Sequence, residues 1–128
     1  MKPLRLLPFL LLLPLAFAAR AESGLPTLEK ISRTATIKLG HRESSVPFSY
    51  YDNKRQVVGY SHDLMLAVVE RIRKELKLPA LAVKLVPVTS QNRIPLVQNG
   101  SVDLECGSTT NNATRQKDVA FGRTTYMT

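Results

Sequence analysis

Three short runs that alternate apolar and polar residues, with one strongly periodic helical stretch between the first two, leave this chain few folds to choose from. Residues Ala35 to Gly40 read ATIKLG, the period of a half-buried strand that ends near Arg42. The pattern recurs over Val83 to Val88, and Val102 to Cys106 reads as a further strand. Between the first two runs, Leu64, Val68 and Ile72 form an i, i+4, i+8 stripe, thickened by Met65, Val69 and Leu76, with Arg71, Lys74 and Glu75 opposite. That spacing predicts an amphipathic helix, capped by Ser61 and stopped by Pro79. A second, shorter helix is expected from about Asn92, with Pro95 tolerated in its first turn and Gly100 as its terminator. Lesser features are a short amphipathic turn over Leu28 to Ile31 and a turn at Asp52-Asn53 before a short strand over Val57 to Tyr60. Gly107 to Asn112 reads as a polar loop that feeds one more short helical stretch, and Val119 to Phe121 opens a further element. Strands and helices in this order imply the α/β class: a mostly parallel sheet flanked by helices, with right-handed crossovers.

The N-terminus has a different character. Lys2 and Arg5 precede an apolar run from Leu6 to Phe17 that is too short to cross a bilayer as a helix. Residues 1–21 therefore read as a signal peptide, cleaved after Ala21 or alternatively after Ala18, and the mature chain is expected to be exported and soluble. No cysteine follows the apolar run, which argues against a lipid anchor. Removing residues 1–21 takes away Lys2, Arg5 and Arg20 and lowers the formal charge from +8 to +5. The remaining basic residues are scattered rather than gathered along one helix, so nucleic acid is not the expected partner. Cys106 is the only cysteine; in an oxidising compartment it is either a buried, inert thiol or has a partner elsewhere. His41 and His62 lack ligand-spaced companions, so neither a metal nor any other cofactor is expected.

What remains is a set of polar residues at strand ends. Arg42 follows the first strand, Ser90 and Arg93 follow the second long run, and Ser108, Thr110 and Arg115 follow the last. A parallel sheet presents ligand groups beyond the carboxyl ends of its strands. Guanidinium binds carboxylate through two parallel charge-assisted hydrogen bonds, so three arginines at one edge suit a small solute with more than one carboxylate. Arg93 and Arg115 also fall near helix starts, where a cation opposes the helix dipole and an anion would relieve it.

The stretch from His41 to Asp52, HRESSVPFSYYD, is followed by VGYS over 58–61, TSQNRIPLVQNGSVDLECGSTTNN over 89–112, RQK over 115–117 and Ala120-Phe121. Together these resemble the glutamate/aspartate-binding periplasmic proteins of ABC amino-acid importers, solute-binding protein family 3, over roughly residues 28–128. The resemblance implies a type II periplasmic-binding-protein fold, in which two α/β lobes close over an amino acid. It implies that Arg115, Ser108 and Thr110 receive the α-carboxylate, whereas Arg42, Ser90 and Arg93 receive the side-chain carboxylate. Relatives that import basic amino acids have an aspartate at the position of Arg42, so the arginine points to an acidic ligand. They also carry an aromatic near Ser45, which this chain lacks. His41 and Tyr60 are read as packing residues, and Asp103 and Glu105 as structural.

Family members run more than twice as far. The expected organisation is a signal peptide (1–21), an N-terminal segment with a short helix (22–34) and the first lobe (35–128), truncated and without its second lobe. The group that would hold the ligand's ammonium, and the partner of Cys106, are both expected in that missing part. The resemblance implies a periplasmic, monomeric binding protein that performs no reaction and delivers its ligand to inner-membrane permease subunits. Two other readings stay open: a non-functional remnant of such a protein, and a dehydratase-type enzyme on the same fold, which would need a general acid or base in the cleft. Glutamate and aspartate differ by one methylene, and nothing in the sequence ranks them.

Overall fold

The computed structural model describes residues 26–126; the signal peptide expected over 1–21 and the end of the chain at Thr128 lie outside the described residues. The first element, α1 (Thr27–Thr34), is longer than the turn expected there, with Glu29 in its first turn and Arg33 in its last complementing the helix dipole. It buries Ile31 and Lys30. Lys30 Nζ donates to the Gly100 carbonyl at 3.0 Å and pairs with Asp103, whose other oxygen accepts the Lys38 amide at 2.9 Å. An ion pair this deeply buried holds only because both charges are met by further hydrogen bonds. It ties α1 to the sheet.

Ala35, in the left-handed region at φ 47°, turns the chain into β1 (Thr36–His41). A small antiparallel sheet follows, formed by β2 (Ser44–Ser45), β3 (Ser49–Tyr51) and β4 (Val57–Val58). Only the last of its strands was expected from the sequence, and it stops at Val58. Tyr60 instead opens α2 (Tyr60–Glu75).

Two details of α2 differ from the sequence reading. Its N-cap is Gly59, not Ser61, because the chain enters at φ 123° and any Cβ at that position would lie 2.5 Å from the Phe48 carbonyl oxygen. The Tyr60 and Ser61 amides donate to the Pro47 and Phe48 carbonyls at 3.0 and 2.8 Å, which occupies donors that a side-chain cap would otherwise serve. The buried face is also rotated from the expected stripe. Met65 and Val69 are 1% exposed and His62 is 8%, whereas Val68 is 44% exposed. The helix ends before Pro79 is reached: Lys77 sits in the left-handed region at φ 53°, its amide donating to Lys74 and that of Leu78 to Arg73. Those two bonds form a Schellman motif without glycine.

The chain then enters β5 (Ala82–Pro87), which pairs in parallel along the whole of β1, from Thr36↔Ala82 to His41↔Pro87. A short helix, α3 (Arg93–Gln98), ends as expected, with Gly100 at φ 78°. β6 (Leu104–Glu105) pairs in parallel on the other side of β1 and is shorter than the run from Val102 to Cys106 had suggested. The order β5-β1-β6 is the parallel sheet expected of an α/β fold. A 3-10 turn over Arg115–Lys117 and an extended segment complete the described residues, without the further element expected at Val119.

The core lies between β1 and its helices. Ile31, Ile37, Leu39, Met65, Val69 and Leu81 form one buried cluster, with Ile72, Leu76, Leu78, Val83, Leu104 and Cys106 packed around it. Each fully buried side chain of this kind contributes about 1.5–3 kcal/mol. Because the three parallel strands point one way, the segments after β1, β5 and β6 emerge at the same edge of the sheet.

Candidate functional site

The site is assembled at that edge. Arg42 leaves β1 directly, and its backbone is anchored by its amide donating to Ser49 Oγ at 2.9 Å. Its guanidinium donates to Ser45 Oγ at 3.3 Å through Nε and to Ser90 Oγ at 3.1 Å through Nη1. After β5, a tight turn is closed by two reciprocal bonds: the Thr89 amide donates to Asn92 Oδ1 and the Asn92 amide to Thr89 Oγ1. That turn holds Ser90 toward Arg42 and starts α3 at Arg93. Arg42, Ser44, Val88 and Ser90 line a cleft of about 310 Å³.

Arg93 is the most unusual residue of the group. It is 5% exposed, yet its Nε and Nη1 have no hydrogen-bond partner among the described residues and it forms no ion pair there. Burial pushes its basicity down, opposed by Glu105 and reinforced by the neighbouring cations Arg115 and Arg42. A buried guanidinium with unfilled donors costs free energy that a bound anion would recover.

Arg115 stands on the 3-10 turn, its amide donating to Asn112 Oδ1 at 2.9 Å and its Nη1 to the Thr110 carbonyl at 2.9 Å. Ser108 and Thr110 are exposed on the loop between β6 and that turn. The structure thus links Arg42 to Ser90 and Arg115 to Thr110, with Arg93 in the field of both arginines. The Ser108 hydroxyl makes no hydrogen bond among the described residues.

Glu105, read from the sequence as a strand residue with a structural role, also lies beside Arg42 and within the field of the arginines. Its Oε2 accepts a hydrogen bond from Thr109 Oγ1 at 2.7 Å, while Oε1 is buried without a donor among the described residues. Burial raises its pKa, and Thr109, Arg93, Arg42 and Arg115 act in the opposite direction. A Cβ at Gly107 would lie 2.9 Å from Glu105 Oε1 and 3.0 Å from Arg42 Cγ, so this glycine lets the two side chains approach. The role of Asp103, by contrast, is structural as expected, through Lys30 and Lys38.

Sequence reasoning also missed an aromatic rim. Phe48 stacks on Tyr126 with ring centroids 4.2 Å apart, Tyr126 donates to the Gly107 carbonyl at 3.1 Å, and Tyr60 donates to the Thr125 carbonyl at 3.1 Å. Tyr60 is 46% exposed, so it lies on this rim rather than in the packing expected of it. His41 is buried, edge-on to Tyr51. Only the aromatic residue type could have pointed to the rim, because its partners are far apart in sequence. Cys106 is a free, half-buried thiol whose pKa burial raises. Among the described residues no group of three or more His, Cys, Asp or Glu side chains could hold a metal ion, and no helix is long and apolar enough to cross a membrane.

Comparison with known proteins follows the same lines. The chain is 59% identical over 113 residues to the glutamate/aspartate import solute-binding protein of Salmonella typhimurium, covering 85% of this chain and 37% of the relative. It is 62% identical over 96 residues to the L-glutamate/L-aspartate-binding protein of Pseudomonas aeruginosa, covering 74% of this chain and 32% of the relative. The chain therefore spans about a third of the length of the curated relatives it matches. Among solved structures it resembles an ancestral amino-acid-binding protein described as a precursor of cyclohexadienyl dehydratase. That match has a TM-score of 0.62 and 28% identity, over 72% of this chain and 37% of the other. The fold is that of type II periplasmic binding proteins. The model of the bacterial extracellular solute-binding proteins, family 3, matches residues 37–128, and the chain belongs to that family.

Proposed function

We propose that this chain carries the first lobe of a solute-binding protein that captures an acidic amino acid, glutamate or aspartate, and hands it to the permease subunits of an ABC importer. The observation that carries this reading is Arg93, a buried cation with two donors unfilled among the described residues, within the field of Arg42 and Arg115. Three guanidiniums at one sheet edge match a ligand with two carboxylates. The relatives named for glutamate and aspartate supply the ligand class.

Within the site, Arg42, Ser90 and Arg93 receive the side-chain carboxylate, and Arg115 with Ser108 and Thr110 receives the α-carboxylate. The bond from Arg42 to Ser90 and that from Arg115 to the Thr110 carbonyl support the two groupings. Residues 1–21 act as an export signal, 22–34 as a leading segment with α1 and 35–128 as lobe; the protein works in the periplasm as a monomer. Binding rather than catalysis is favoured by the curated relatives, which are named as solute-binding proteins.

Calorimetric titration of the full coding length of the protein with glutamate, aspartate, glutamine and arginine tests this reading. The expected result is binding of the two acidic ligands; preference for glutamine or arginine would overturn it. Arg93→Ala should cost glutamate about 10- to 100-fold in affinity, the equivalent of one charge-assisted hydrogen-bonding group. Glutamine should lose much less, and equal losses for the two ligands would remove Arg93 from the side-chain subsite.

A further inference from the structure

Glu105 is an acid placed where the purpose of the surroundings is to attract acids. It stands on the short strand β6 beside Arg42, its Oε1 and Arg42 Cγ lying 2.9 and 3.0 Å from where a Cβ on Gly107 would sit, and it feels Arg93 and Arg115 as well, yet makes no ion pair with any of them among the described residues. Its hydrogen-bond partner is neutral, Thr109. The other groups that feel its charge are Cys106, its neighbour on the chain, and Tyr126, from the segment that crosses back over Gly107. The carboxylate therefore acts on the arginines through space, and the Nε and Nη1 of Arg93 stay without a partner among the described residues.

We propose that Glu105 is a specificity-determining residue of the arginine site: a resident negative charge that favours dicarboxylates which also carry an ammonium over dicarboxylates which do not. The inference rests on the reading of the site as one for acidic amino acids. Three guanidiniums against one carboxylate leave two net positive charges. An amino dicarboxylate brings one net negative charge, whereas the same diacid without its amine brings two and is repelled twice as strongly by Glu105. In a partly buried site with low effective dielectric, one fixed charge a few ångströms away is worth roughly tenfold in relative affinity. Glu105 also limits the mutual repulsion of the arginines without filling the positions that ligand oxygens need.

The test compares glutamate with glutarate, which has the same carbon chain and no amine, by calorimetry on the full coding length of the protein. In Glu105→Gln the affinity ratio should move about tenfold toward glutarate, while Glu105→Asp, which keeps the charge, should leave it near the wild-type value. Should the glutamine variant not fold, Glu105→Met, uncharged and of similar length, has the same expected shift. A ratio within twofold of wild type in the uncharged variants overturns the role of Glu105 and leaves the acidic amino-acid site standing. A wild-type protein that binds neither ligand overturns the site reading, and the role of Glu105 with it.

Discussion

Buried charge is handled in two ways within this small structure. Lys30 and Asp103 are paired and hydrogen-bonded, whereas Arg93 is left with donors unfilled among the described residues, the kind of burial that a bound anion would relieve. His62 is a third case. It is 8% exposed, its Nδ1 has no partner among the described residues, and it lies within the field of the buried His41. Burial pulls its pKa below the ordinary value, with Asp63 opposing and His41 adding to the effect. The unfolded chain then binds a proton at His62 more readily than the folded one, so stability is present above about pH 6.5 and is lost as pH falls through the lowered folded pKa. Relative to His62→Gln, the wild-type melting temperature should therefore decline as pH is taken from 7.5 to 5. Glu105, whose raised pKa acts with the opposite sign at lower pH, is present in both proteins and cancels in the comparison. A difference between the two proteins that stays constant over this range would rule out His62 as the source.

At the scale of elements, α2 shows how a correct periodicity can have the wrong phase. Apolar residues at 64–66, 68, 69, 72 and 76 span a wide arc, and any line through that arc predicts an amphipathic helix. Which line is buried depends on where Ile37 and Leu39 of β1 meet it, and they meet Met65 and Val69, leaving Leu66 and Val68 outside. The helix termini obey the same logic. Gly59 caps the start because Pro47 and Phe48 already supply acceptors there, a contact between two elements that no local cap signal encodes. At the other end, Lys77 occupies a left-handed position that glycine adopts without steric cost. Lys77→Gly should accordingly stabilise the protein by roughly 0.5–1 kcal/mol, after the greater entropy of the unfolded glycine is set against the relieved strain. The shift is read as a higher urea midpoint with unchanged slope; a lower midpoint would mean that the Lys77 side chain contributes more than its backbone strain costs.

For the molecule as a whole, protection should follow the sheet. β1 is paired on both sides, β5 along its full length on one, and β6 through two residues only. Native-state hydrogen exchange should find the slowest amides in β1 and fast exchange over 120–126, where the described residues form no regular element. Equal protection of these two segments would contradict this order of local stability. Legibility from sequence divided along a related line. Period-two and period-3.6 patterns identified β1, α2, β5 and α3, because their burial repeats within a few residues. The two-residue strands β2 and β6 and the three-residue β3 offer too few repeats to be measured against a pattern, and they were missed or overdrawn. The proposed site residues Arg42, Ser90, Arg93, Ser108, Thr110 and Arg115 were legible as strand-end polar groups in an α/β chain, together with the family resemblance that their motifs carry. Glu105 beside Arg42, Gly107 as the gap that admits both side chains and the stacking of Tyr126 on Phe48 were not. The sequence by itself determined the class of fold and the polarity of the sheet edge, which follow from local spacing and side-chain chemistry, and the family, which follows from the resemblance of its motifs. Only the tertiary structure decided which arginine is buried without a partner among the described residues and which carboxylate shares its field, because both depend on distances between residues far apart along the chain.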